Sequence, residues 1–403
     1  MQQLVTFDAA RALVLAHAPL LPEERVPLAK ALGRTLAAPV VSREAIPPFT
    51  NAAMDGYAVR AADLAGAPRT LRVIADVPAG SFPQDVIVEG TCARIMTGAP
   101  VPRGADAVVQ VEWTEPAGEA SVRVLERVAP GQNVREAGED VSAGAQVLPP
   151  GERVTPPVIG MLATLGYAEV SVRRAPRVAV VATGDELVDA AATPGPGQIR
   201  NANGPALAAQ VASAGGEVVV LLHAGDDRAG TEAAVEQSLA ADVLVFSGGV
   251  SVGAYDFVRQ VLEARGTRFL FWRVRQRPGK PLAFGVLGHR PVFGLPGNPV
   301  SSAVCFEQYV RPALAQMLGR REVVRPRYPA LLDAPTAKKA GLHHFVRGVA
   351  RVDAGGRLRV RDTGPQGSNL YSSMVAANCI VHLPEEMEEA PAGAPVEIEW
   401  LTW

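Results

Sequence analysis

The sequence predicts a multidomain α/β plus β architecture: a central parallel-sheet α/β domain, an inserted β-rich domain, a helical or mixed linking domain and a small β-barrel-like C-terminal domain. Three observations lead there. The 403 residues exceed what one hydrophobic core serves. From Arg177 to Pro299, strand-like runs alternate with helical patterns, as βαβ units on a parallel sheet require. Two other stretches, Pro47 to about Asp140 and the chain beyond Arg325, hold short alternating runs between Pro, Gly and Asp turns.

Thr6 is placed to cap a first helix that carries Ala9, Leu13 and Ala16 toward one side, and a second amphipathic piece runs around Leu28 to Leu36. The runs TLRVIADV, ARIMTGAPV, DAVVQVEW and SVRVLERV then read as strands. Thr155 opens another helix, PPVIGMLATLG, and AEVSVRR a further strand, so the β unit reads as an insertion between two helical pieces. The expected domains are 1–43 with 142–175 (linking), 44–141 (inserted), 176–324 (α/β) and 325–403 (β). Within the third, the strands RVAVVATGDE, EVVVLLHAGDD and DVLVFSGGVSVG alternate with the helices GPALAAQVASAGG, GTEAAVEQSLAA and DFVRQVLEAR. RFLFWRV and PVFGLPGNP follow. A long helix is expected over Val300–Leu318 with Val304, Phe306, Val310 and Leu314 buried, kinked or split by Pro312. FVRGVARV, LRVRD, CIVHL and VEIEWL supply the last strands.

Composition narrows the function. Thirty-nine basic against 41 acidic residues leave a formal charge of -2, so no bulk field draws nucleic acid to the chain. Cys92, Cys305 and Cys379 lie too far apart for a disulfide framework or a thiolate zinc site, and an intracellular, cytoplasmic protein is expected. The opening residues lack the pattern of a secretory leader, and apolar runs such as Val218 to Ala224 fall short of the roughly 20 residues a span needs. A soluble protein without membrane partners is expected.

In an open parallel sheet, ligands bind beyond the carboxyl ends of the strands. The first strand ends in Thr183-Gly184-Asp185-Glu186, the second in Gly225-Asp226-Asp227, and the third in Ser247-Gly248-Gly249-Val250-Ser251-Val252-Gly253 with Asp256 beyond. Oxygen ligands on neighbouring loops suit Mg²⁺ together with substrate phosphates, and the glycine loop lets backbone approach a phosphate. A lone Asp at such a place more commonly caps a helix; carboxylates at three strand ends together favour a site. No dinucleotide fingerprint or Walker A motif occurs. Gly249 to Gly253 matches the letters G-x-S-x-G of a hydrolase elbow, a pattern short enough to arise by chance. The histidines show no zinc spacing, and His343-His344 reads as a surface pair. The basic run Trp272 to Pro281 suits a phosphate, with a solvated edge strand as the alternative for Arg273 and Arg275; Lys280, in a turn rigidified by Pro278 and Pro281, reads less readily that way. Ser301 follows the turn Gly294-Leu295-Pro296-Gly297-Asn298-Pro299 at a helix start, where it faces an anion or merely caps.

Taken in order, PPFTNAAMDGYAVR, RIMTGAPVPRGADAVVQVE, NVREAGEDV, TGDEL, SGGVSVGAYD, RPGKPLAFG, GLPGNPVSS and GPQGSNLYSS resemble the molybdopterin molybdenumtransferases, the MoeA family, to which the C-terminal part of gephyrin is also similar. The resemblance implies the last step of molybdenum cofactor assembly: adenylylated molybdopterin and molybdate give the cofactor and AMP, with Mg²⁺. It implies that Glu186, Asp226 and Asp256 hold the metal, and that Asp55, Asp140 and Lys280 act with them in catalysis. Thr97, Thr183, Asp185, Gly248, Gly249, Ser251, Arg277, Pro296 and Pro299 would bind substrate. Lys280, Ser301, Arg347 and Ser368 would form the molybdate pocket. Asp55, Thr97 and Asp140 would serve a site completed across a homodimer. A molybdopterin adenylyltransferase is the implied upstream partner. Thr50 and Ala52 stand where the family often has Asp and Ser, and Arg273 and Arg277 where some members have Lys, without expected loss of activity. The alternatives are a molybdopterin-binding scaffold without catalysis, a tungstate-specific insertase, and adenylyl transfer itself, whose enzymes are short single-domain chains.

Overall fold

The computed structural model describes residues 4–249, 257–338 and 340–402. The chain divides into two compact units, one of Met1–Ala38, Pro150–Ile159 and Ala168–Trp403, the other of Pro39–Pro149 and Gly160–Tyr167.

In the first unit, Thr6 Oγ1 accepts from Ala9 N at 3.3 Å and caps the helix Phe7–Ala16. Its buried face is Phe7, Ala10 and Val14, one residue away from the expected Ala9, Leu13 and Ala16. The Phe7 ring sets that rotation, because it packs against His343, Phe345 and Tyr309. The expected helix over Leu28–Leu36 is absent. Glu23–Pro27 pairs instead as a strand with Glu169–Arg173, and only a short 3₁₀ turn, Leu28–Lys30, follows Pro27. Cross-strand hydrogen bonds satisfy this backbone without a helix.

The α/β domain comprises β1 (Arg177–Thr183), α1 (Asn203–Ser213), β2 (Glu217–Ala224), α2 (Arg228–Ser238), β3 (Val243–Ser247), α3 (Phe257–Ala264), β4 (Arg268–Phe271), β5 (Ala283–Leu287) and β6 (Arg290–Leu295). Sheet order is β2-β1-β3-β6-β5-β4. The first four are parallel, and the β5–β6 hairpin turns the far edge antiparallel. Val178 to Thr183 is buried throughout, as a strand covered on both faces must be. Four parallel strands thus deliver their carboxyl ends to one side.

The closing helix runs as α4 (Pro299–Cys305), a wide π-type turn (Phe306–Val310) and α5 (Arg311–Met317). Pro312, expected to split it, sits just after the widened turn, which accommodates its missing N–H while the helix continues. This helix is the centre of the largest core, with Phe271, Phe284, Phe293, Phe306 and Tyr309.

The C-terminal strands are β7 (Tyr328–Leu332), β8 (His343–Val352), β9 (Leu358–Asp362), β10 (Cys379–Leu383) and β11 (Pro395–Trp400). They pair as β8-β9-β7-β11-β10 and back to β8, a closed five-stranded barrel without free edges. Gln276–Arg277 adds to β8 in parallel. His343 is not a surface residue: strand alternation turns it inward with Phe345 and Arg347, and its Nε2 lies 3.1 Å from His382 Nδ1. His344 points the other way and is half-buried.

The second unit centres on a six-stranded sheet in the order Ala107–Gln110, Gly56–Val59, Thr91–Ile95, Arg69–Val77, Ser121–Val124 and Thr114–Pro116. The expected strand through Trp113 stops at Gln110 and ends in a 3₁₀ turn.

Candidate active site at the strand ends

A cavity of about 650 Å³ opens beyond the carboxyl ends of β1, β3 and β6. Thr183, Glu186, Asp226, Gly248, Gly249, Pro296 and Pro299 all line it. Asp185 ties two strand ends together: its Oδ1 accepts from Asp226 N at 2.9 Å, while its own N–H donates to Asp226 Oδ2 at 3.4 Å. Asp227 takes the bland role foreseen for it and caps α2 by accepting from Gly230 N at 2.8 Å. Ser251 and Asp256 lie outside the described residues.

Glycine is required where β3 ends. Gly248 and Gly249 have φ of 91° and 61°, and a Cβ on Gly248 would stand 2.6 Å from Thr183 O. The loop therefore lies flat on Thr183, whose buried hydroxyl has no hydrogen-bond partner among the described residues. A bare backbone over an unsatisfied hydroxyl is a cradle suited to an anionic group.

Several contributors were missed from sequence. Asn203 Nδ2 donates to Ser247 Oγ at 2.9 Å and to Gly297 O at 2.7 Å, joining the start of α1 to two cavity loops. Asn298 and Asn369 also line the cavity, and His223 Nε2 sits 2.7 Å from Gly184 O. The available signal was the triplet Asn201-Ala202-Asn203 before a helix, where a capping reading absorbs any asparagine.

The donor set fits a divalent cation of the Mg²⁺ kind. Glu186 is exposed and Asp226 half-buried, both are hard oxygen donors at the cavity, and Mg²⁺ is ordinarily held by one or two carboxylates plus substrate phosphates. Among the described residues, no group of three metal-binding side chains converges.

A second cavity of about 360 Å³ is lined by Arg277, Lys338, His344, Arg347, Asp362 and Gln366, so Arg277 and Arg347 face this space, not the strand-end cavity. Arg347 is 1% exposed, donates from Nε to Ser373 Oγ and from Nη2 to Gly367 O, both at 3.0 Å, and accepts a Gln366 amide proton at its carbonyl oxygen. Burial, and then the charge of Arg277, bring its pKa down to about 10. Two cations held near one another favour an anion between them. The 366–369 loop borders both cavities, through Gln366 on one and Asn369 on the other.

The other expected molybdate residues, Lys280, Ser301 and Ser368, line neither cavity. Val300 N donates to Ser368 O at 3.1 Å, and a Cβ on Gly279 would stand 2.3 Å from Cys305 Sγ, so the Arg277–Lys280 turn is pressed on α4. Buried Gln276 secures that turn, donating to Gly279 O at 3.0 Å and accepting from the Tyr309 hydroxyl. Lys280 is exposed, whereas Ser301 is buried. All three cysteines are buried, with the thiols of Cys92 and Cys379 pushed up to about 12 by burial, so none is a ready thiolate.

Asp55, Thr97 and Asp140 belong to the second unit. Asp55 Oδ1 accepts from both the N–H and the hydroxyl of Thr97 at 2.7 Å, and those bonds hold its carboxyl below the usual range. Asp140 is exposed, its N–H donating to Ile46 O.

A glycine loop seated on Thr183 and two carboxylates at the carboxyl ends of a parallel α/β sheet define a strand-end cavity, with Arg277 and Arg347 on a separate cavity beside the barrel. The comparisons give the family. Residues 5–166 match the MoeA N-terminal region (domain I and II), 179–316 the probable molybdopterin binding domain, and 329–401 the MoeA C-terminal region (domain IV). Molybdopterin molybdenumtransferase 2 of Mycobacterium tuberculosis is 40% identical over 387 residues, 94% of this chain and 95% of that one. The molybdopterin molybdenumtransferase of Haemophilus influenzae is 38% identical over 399 residues, 98% of each. The crystal structure of a molybdopterin biosynthesis MoeA protein from Pyrococcus horikoshii OT3 superposes with a TM-score of 0.86 at 31% identity, covering 99% of this chain and 100% of that one. The chain therefore belongs to the MoeA family of molybdopterin molybdenumtransferases, transferases of molybdenum cofactor biosynthesis. Among the described residues, no helix is long and apolar enough to cross a membrane.

Proposed function

We propose that this protein inserts molybdate into adenylylated molybdopterin, with Mg²⁺-dependent release of AMP, and that it works in the cytoplasm as a homodimer supplied by a molybdopterin adenylyltransferase. The observation that carries the reading is the pairing of the strand-end cradle, which suits a phosphate, with the neighbouring Arg277–Arg347 cavity, which suits a tetrahedral oxyanion.

Gly248 and Gly249 receive the pterin phosphate against backbone, and Asn203 fixes the loops around it. Glu186 and Asp226, with Asp256, are the groups to hold Mg²⁺, which when bound neutralises phosphate charge. Lys280 stabilises the charge that grows as water attacks the phosphoanhydride phosphorus and AMP leaves, while Arg277, on the neighbouring cavity, draws in the oxyanion. Arg347, Ser301 and Ser368 keep molybdate beside the pterin dithiolene. In a homodimer, Asp55, Thr97 and Asp140 complete the site of the other copy.

Purified protein given adenylylated molybdopterin and Mg²⁺ should release AMP faster when molybdate is present, and Asp226→Asn should abolish that stimulation. Tight substrate binding without AMP release would favour the scaffold reading; stimulation by tungstate alone would favour a tungstate insertase.

A further inference from the structure

A further cavity, larger than the two already described, belongs to neither site. It measures about 810 Å³ and shares no lining residue with the strand-end or Arg277–Arg347 cavities. Five arginines face it, Arg153, Arg311, Arg320, Arg321 and Arg325, against three glutamates.

Two of those glutamates are already engaged. Glu307 is buried, with Oε2 2.9 Å from Arg325 Nη2 and 3.6 Å from Arg311 Nε, and Oε1 accepting from Gln210. Glu152 lies 3.5 Å from Arg321. Arg153 and Arg320 have no carboxylate within ion-pair distance among the described residues. Arg320 Nη2, Arg311 Nε and Arg325 Nε are buried donors without a hydrogen-bond partner. Such donors carry a desolvation cost that a bound acceptor removes.

Arg320 is also held in place. Its Nε is 3.4 Å from Thr35 Oγ1, and its Nη2 is 2.5 Å from where a Cβ on Gly215 would stand, so the guanidinium lies directly on that backbone. Burial, then the charges of Arg153 and Arg311, lower its pKa to about 10. Tyr328, 42% exposed, and Trp400 add aromatic surface to the same wall.

We propose that this cavity is a second ligand site, for a phosphate-bearing anion whose oxygens are taken by Arg320, Arg311 and Arg153 and whose planar part, where it has one, lies against Tyr328 and Trp400. The proposal does not depend on the reaction at the strand ends. Guanidinium forks match phosphate oxygens, and the volume suits a ligand of nucleotide size.

Calorimetric titration of the full-length protein with inorganic pyrophosphate, and separately with AMP, tests it. Saturable pyrophosphate binding should weaken about tenfold or more in Arg320→Gln and also in Arg153→Ser, a change at an exposed residue that leaves the core untouched. Tyr328→Ala should weaken AMP while sparing pyrophosphate if the site takes nucleotides, and spare both if it takes phosphate alone. Pyrophosphate soaked into crystals should bridge Arg320 and Arg311. No saturable binding, or binding unchanged in both arginine variants, would overturn the proposal.

Discussion

The position a Cβ would take on Gly249 lies 2.8 Å from Thr183 Oγ1, a buried hydroxyl without a hydrogen-bond partner among the described residues. Gly248 meets Thr183 as closely, and both glycines have positive φ. The β1 and β3 strand ends are thus locked face to face, and the Gly248 N–H, donated to Leu295 O at 3.1 Å, ties β6 to them. Gly249→Ala combines a steric clash with a disfavoured backbone, and a cost of about 2–4 kcal/mol follows. Thermal unfolding should show a lowered Tm, and AMP release should drop further than stability explains, because the cradle itself shifts. An alanine variant with wild-type Tm and turnover would refute the close fit.

Glu186 and Asp226 invite the opposite split. Among the described residues, the exposed Glu186 carboxylate makes no hydrogen bond and the Asp226 carboxylate bonds only to the Asp185 N–H. Surface changes of this kind stay within about 0.5 kcal/mol of wild type. Removing a charge aimed at transferring phosphates costs about a hundredfold or more in rate. Glu186→Gln should therefore keep its Tm and lose turnover, and extra Mg²⁺ should restore part of the rate.

The carboxyl ends of β1, β2 and β3 were readable because sheet topology fixes where such ends converge, and glycines and acids there have few other uses. Asn203 was not readable, since its two bonds run to Ser247 and Gly297, far away in the chain. Nor did the sequence separate Arg277 from the strand-end carboxylates, although the resemblance put Arg347 in a pocket of its own: which cavity Arg277 faces depends on the pairing of Gln276–Arg277 with β8. The Leu28–Leu36 segment misled because helical spacing lost to strand pairing of the preceding residues. His343 misled because adjacent residues of a strand face opposite ways, so a polar pair need not share a surface.

His343 has a measurable consequence of its own. Burial, then His382, Arg327 and Lys338, lower its pKa to about 3, and burial with Lys338 and Arg277 brings His344 to about 4. Burial alone would raise Glu399, but His382, Gln308 and Arg327 hold it at about 2. The unfolded chain binds protons at these groups before the folded one does. Their stabilisation is thus complete above the ordinary histidine value of 6.5 and is lost as pH falls toward 3. His343 alone contributes at most about 1.4 kcal/mol per pH unit in that window. Urea unfolding between pH 6.5 and 4 should show stability falling with acid, and His343→Gln, which keeps a hydrogen bond for His382, should flatten the slope.

Arg347 makes the sharpest case for geometry over charge. Its Nε and Nη2 bond to Ser373 Oγ and Gly367 O, so one planar group pins both ends of the 367–373 loop while the barrel wall encloses it. A lysine carries the same charge on a single nitrogen and cannot span both acceptors. Arg347→Lys should lose about 1–3 kcal/mol of stability through the unpaired buried groups. Because Val300 N depends on Ser368 O, the loop's loosening reaches α4 and with it Ser301 and Ser368, the residues proposed for molybdate. The molybdate concentration needed for half-maximal AMP release should rise about tenfold or more, while binding of adenylylated molybdopterin at the strand ends stays near wild type. A parallel loss of both affinities would mean that the two cavities are one site in function, whatever wall the 366–369 loop places between them.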